Sequence, residues 1–93
     1  MSSPTPPGGE AIAAEILRLT TARGGGGSIC PSEVARALAG GEAGPWRPLM
    51  GPVRQAALAL QREGRIEILR KGKPVPPEAV RGVIRLRATP AGA

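Results

Sequence analysis

Residues 45–69 read PWRPLMGPVRQAALALQREGRIEIL, and whether they form one helix running into a strand decides the fold. Pro48 fits the first position of a helix, where a missing N–H costs nothing. Pro52 follows one turn later and removes at most the bond to the carbonyl of Pro48. The helix therefore starts either at Pro48 with a strained first turn or at Pro52 after a single turn, and Gly64 stops it. At about 100° per residue, Leu49, Val53, Ala56 and Leu60 share one stripe, with Ala57 and Trp46 at its margin. Arg47, Arg54, Gln61 and Arg62 fall on the opposite half with Gly51, Gln55 and Leu58. The outer face is thus basic, amide-bearing and free of acid. After Gly64, RIEIL (65–69) alternates as a half-buried strand does, with Ile66 and Ile68 inward.

Upstream, a first helix is expected from Glu10 to about Arg23, with Ile12, Ile16 and Leu19 on one stripe and Ala13 and Leu17 beside it. Gly24 stops it, and Gly24 to Ser28 reads as a plain loop. A phosphate-cradling loop would instead follow a strand and carry Lys and Ser/Thr at fixed places. Ser28-Ile29-Cys30 makes a very short strand. Pro31 then opens a second helix that runs to about Ala39, with Cys30 or Ser28 near the cap and Glu33 in the first turn. Val34, Ala35 and Leu38 form its buried side, and residues 40–44 are a turn. Cys30, beside a proline and between apolar residues, reads as a small buried hydrophobe. Trp46, the only aromatic residue, reads as a core plug between the second and third helices.

Downstream, VIRLR (83–87) alternates again, with Ile84 and Leu86 inward. An antiparallel register that pairs Ile66 with Leu86 and Ile68 with Ile84 sets Glu67 opposite Arg85, a favourable cross-strand pair. It also sets Arg65 opposite Arg87. The intervening RKGKPVPPEAVRG is too long and proline-rich for a tight hairpin turn. The expected fold is α+β, mainly α: a winged helix-turn-helix with three helices and a two-stranded β-hairpin wing. It occupies residues 10–87, between disordered tails at 1–9 and 88–93.

The segments ICPSEVARAL, WRPLMGPVRQAALAL and EGRIEILRKGKPVPPEAVRGVIRLR also carry a likeness. In order, they resemble a small bacterial domain-of-unknown-function family, numbered 3253, over about residues 11 to 87. The matching blocks are P-S-E-V-A, W-R-x-L-M, V-R-x-A-A, E-G-R-I, K-G-x-P-V and R-G-x-I-R-L-R. Pro76 departs from the pattern, which has an acidic residue after K-G-x-P-V. The resemblance implies a winged-helix fold in a small bacterial protein, with no assigned activity and no binding residues to carry over.

Composition narrows the function. The chain of 93 residues has 13 Lys plus Arg against 7 acidic residues, a net charge of +6, with no His and one Cys. Such a balance suits a polyanion, although an Arg-rich, Ala/Gly/Pro-rich composition also produces it unaided. Neither a Ser/His/Asp nor a Cys/His arrangement is available, and a lone Cys cannot hold zinc. The expectation is a non-enzymatic protein without cofactor or metal. A lone Cys forms no internal disulfide, which fits the cytoplasm. No apolar run is long enough to span a membrane.

Two classes of partner fit. In one, Arg47, Arg54, Gln55, Gln61 and Arg62 face the major groove of duplex DNA, Arg and Gln suiting guanine and adenine edges. Arg70, Lys71, Lys73 and Arg81 in the wing then contact phosphates. In the other, the module binds a protein partner or a second copy through Leu58, centred on the polar face, and a patch of Leu58 with Leu69 or Val83 would strengthen that reading if the fold brings them together.

Overall fold

The computed structural model describes residues 8–24, 26–40 and 45–89. Helix α1, Gly9–Arg23, buries Ile12 and Ile16 as its periodicity requires, and its third buried position is Thr20 rather than Leu19, which is half-buried. A hydroxyl is tolerated there because Thr20 Oγ1 donates to the Ile16 carbonyl at 2.8 Å, one turn back. Helix α2, Pro31–Leu38, buries Pro31, Val34 and Ala35. The Glu33 carboxylate accepts from the Cys30 N–H at 2.7 Å, satisfying one of the donors that a helix start leaves open. Cys30 itself is half-buried and accepts from the Ser32 hydroxyl at 3.1 Å, so it is less enclosed than its neighbours imply.

Both prolines of the opening stretch lie at the start of the third helix. Arg47–Leu49 form a 3₁₀ turn that contains Pro48 and runs directly into α3, Met50–Arg62, with Pro52 in its first turn. Neither proline therefore removes an interior helix bond. Val53, Ala56, Ala57 and Leu60 are buried. The helix ends where Gly64 turns to φ 75°. The N–H groups of Gly64 and Arg65 then reach back to the carbonyls of Gln61 and Leu60, at 2.9 and 3.0 Å.

The sheet has three antiparallel strands: β1, Ile66–Arg70; β2, Lys73–Pro74; and β3, Arg85–Ala88, in the spatial order β2-β1-β3. The expected two-stranded wing is thus corrected. A tight turn does exist inside the proline-rich segment, where Lys71 and Gly72 take φ values of 54° and 80° and set Arg70 opposite Lys73. Positive φ at both central residues has the twist that two-residue hairpins favour.

The expected register is corrected as well. Ile66 faces Ala88, Ile68 faces Leu86, and Glu67 faces Arg87 rather than Arg85. The Arg87 guanidinium donates to Glu67 Oε1 at 2.7 and 3.0 Å. Arg85 turns instead to Ser28, whose hydroxyl and carbonyl accept at 2.7 and 2.9 Å. Ile29, between α1 and α2, exchanges two backbone bonds with Leu86, both at 2.8 Å, and so extends the sheet beyond β3.

The core lies where the three helices meet one face of this sheet. Ile12, Ile16, Val34, Val53, Ile68 and Leu86 are among its buried members. Ile84 also joins it, as the alternation before β3 requires. Because α1 begins at Gly9 and β3 ends at Ala88, the ordered part reaches slightly beyond residues 10–87 at each end. The remaining expected tail residues, 1–7 and 90–93, and the expected turn at 41–44 lie outside the described residues. Among the described residues, no helix is long and apolar enough to cross a membrane.

Candidate nucleic-acid interface

Residues expected on one outer face of α3 divide between one flank and the outward face. Val53 points into the core, and successive residues advance by about 100°. Arg54 and Gln61 therefore lie roughly 80–100° from the core direction, while Arg62 and Gln55 lie nearly opposite it. The segment between β2 and β3 runs beside the flank of Arg54 and Gln61, and a 3₁₀ turn at Pro77–Ala79 packs against the helix there. Arg54 donates to the Gly82 carbonyl, and Gln61 Nε2 donates to the Val75 carbonyl at 2.6 Å. Gln61 Oε1 is buried without a partner among the described residues. These two side chains hold the loop to the helix.

Leu58, on the same flank between them, is half-buried and packs against the core rather than standing at the centre of an exposed face. Leu69 is buried at 6% exposure, and Val83 is 86% exposed. Leu69 is therefore too enclosed to join Leu58 and Val83 on an exposed surface.

On the outward face, Gln55 and Arg62 are exposed and donate to nothing among the described residues. Gln55 borders an apolar groove between α1 and α3, about 740 Å³ in volume, floored by Ala13, Leu17, Ala56 and Leu60. Arg62 projects near the C-terminal end of the helix.

The hairpin gathers the other expected basic residues. Arg70, half-buried, ends β1; Lys71 forms the turn; Lys73, exposed, begins β2. Arg81 is exposed on the loop just before Gly82.

Charge pairing is unevenly distributed. Among the described residues, the ion pairs are Arg18–Glu15, Arg23–Glu33, Arg65–Glu63 and Arg87–Glu67. None of Arg47, Arg54, Arg62, Arg70, Lys71, Lys73 and Arg81 has a carboxylate partner among the described residues. The Glu15 carboxyl lies below its ordinary value of 4.5 because Arg18 hydrogen-bonds to it and adds an attractive charge. That pair belongs to α1, away from the hairpin.

The sequence reading missed one arrangement. Trp46 is half-buried against the core rather than enclosed by it. The Arg36 guanidinium carbon, from α2, stands 4.5 Å from the ring centroid, and that of Arg47 stands 4.8 Å from it. Arg36 falls on the solvent side of α2 by its spacing, but nothing in its sequence neighbourhood joins it to Trp46.

Among the described residues, no three His, Cys, Asp or Glu side chains come together as metal ligands would. Residues 9–89 match a family model described as Protein of unknown function (DUF3253). No curated protein matches the sequence.

Proposed function

The chain belongs to that family of unknown function, DUF3253, and from this premise we propose that it is a bacterial, cytoplasmic, non-enzymatic winged-helix module that binds duplex DNA. The order of α1, the Ile29 bridge, α2, α3 and the sheet supports the winged-helix reading, with the three-stranded sheet as the wing and the β1–β2 turn at its tip. Arg62 and the outward face of α3 approach the duplex. Arg70, Lys71, Lys73 and Arg81 meet phosphates, which position a protein on DNA without reading its sequence.

Lys71 carries this reading. It occupies a left-handed turn position, φ 54°, that Asn, Asp or Gly fills at lower cost. A strained residue points to a use for its side chain. Here that side chain is a cation at the tip of a hairpin, between Arg70 and Lys73.

Binding to a random-sequence duplex, measured by anisotropy across a salt series, tests the proposal. Four phosphate contacts by Arg70, Lys71, Lys73 and Arg81 give a slope of log K against log salt of about −3.6 or steeper. Lys71→Glu/Lys73→Glu flattens it by about 1.8 and weakens binding at every salt concentration. No binding at low salt, or a double reversal that leaves affinity and slope unchanged, overturns the proposal.

A further inference from the structure

We propose that Arg36, Trp46 and Arg47 form a phosphate clamp that grips the DNA backbone at the junction of α2 and α3. The inference rests on the duplex-binding reading and adds a second contact region to it. Both guanidinium groups lie close to one indole, so their charges are no farther apart than the sum of the two stacking distances, 4.5 and 4.8 Å. Two cations gathered at one ring, with no described carboxylate beside either, favour an anion at that place.

The mode of attachment matters as much as the distance. A guanidinium stacked on a ring uses its flat face and leaves its in-plane N–H groups available. No N–H of Arg36 or Arg47 donates to any described residue, and no described carboxylate pairs with either. Arg54, by contrast, spends a donor on the Gly82 carbonyl. Trp46 therefore fixes two forks of donors without consuming them, which is what bidentate phosphate recognition requires.

A duplex supplies the matching partner, because each strand carries a negative charge about every 3.4 Å along the axis. Arg47 accordingly changes role. The sequence reading gave it a base edge in the major groove; its stacking on Trp46 assigns it to the backbone.

Trp46 is the single tryptophan, so its fluorescence reports on the clamp alone. Adding duplex should change its emission at the concentrations where anisotropy registers binding. With two further contacts, the wild-type salt slope reaches about −5.4, and Arg36→Gln/Arg47→Gln flattens it by about 1.8. At about 0.1 M salt, that change weakens binding roughly 60-fold. Arg36→Lys/Arg47→Lys, which keeps both charges but not the stacked forks, should restore the slope while binding more weakly than wild type, and wild-type affinity in that variant overturns the clamp.

An unaltered slope in the glutamine variant overturns the clamp while leaving the duplex-binding reading in place. A slope that the lysine variant fails to restore also overturns it, because the loss then reflects disturbed folding. Absence of duplex binding by the wild type overturns both readings. Binding of an oligoglutamate peptide in place of duplex overturns the clamp in favour of an acidic protein partner.

Discussion

On one flank of α3, Arg54 and Gln61 donate to the carbonyls of Gly82 and Val75. On the outward face, Arg62 and Gln55 project from the same helix with no partner among the described residues. The residue types match, one arginine and one glutamine on each side, yet one pair fastens a loop and the other faces outward. Side-chain chemistry alone does not announce a binding role. What decides it is whether a nearby backbone group already takes the donors.

Swapping charge onto the two glutamines should separate the flank from the outward face most sharply. Gln61→Glu removes the donor to the Val75 carbonyl and places a carboxylate in a partly buried site, for a loss of about 2–3 kcal/mol in urea denaturation. Gln55→Glu on the outward face should stay within about 0.5 kcal/mol of wild type. Equal losses would mean that the tied flank is not tied.

The arginines provide a gentler version. Arg54→Ala should cost about 1 kcal/mol by releasing the loop at Gly82. Arg62→Ala should leave stability within about 0.5 kcal/mol while weakening duplex binding. An Arg62 variant that unfolds more readily than the Arg54 variant would reverse the assignment.

The smallest effect is expected at the hairpin tip. Lys71→Asn relaxes the left-handed position and should raise stability by about 0.5–1 kcal/mol while lowering affinity for duplex. A variant that loses stability, or one that gains it without losing affinity, would remove the functional reason for lysine at that place.

Much of this architecture was legible in the residues. The stripe of Val53, Ala56, Ala57 and Leu60 defined α3, and Gly64 marked its end through the one conformation that glycine adopts cheaply. The strand register was not legible, for a physical reason. Side chains alternate with a period of two, so a slip of two residues keeps Ile66, Ile68, Ile84 and Leu86 inward and leaves the pattern unchanged. The slip sets Glu67 opposite Arg87 and leaves Arg85 to Ser28.

The tight turn was hidden because lysine is a poor signal for a left-handed position. Arg62, Lys71, Lys73 and Arg81 were legible as exposed basic residues from local spacing. The engagement of Arg54 and Gln61 was not, because it depends on the path of the loop from Val75 to Gly82. The meeting of Arg36 with Trp46 depends likewise on how α2 packs beside the 3₁₀ turn.

The bridge between Ile29 and Leu86 has a consequence for how the chain acquires its shape. Arg85 and Ser28, beside that bridge, are separated by 57 positions in sequence. The short strand at Ile29 has no backbone partner other than Leu86 among the described residues. As the chain emerges during synthesis, the helices can form early through local contacts, but the Ile29 segment must wait for β3. Contacts of such long separation slow folding. Docking of β3 should therefore be the late step, and a nascent chain that stops before Arg85 should be left with the sheet edge at β1 unpaired.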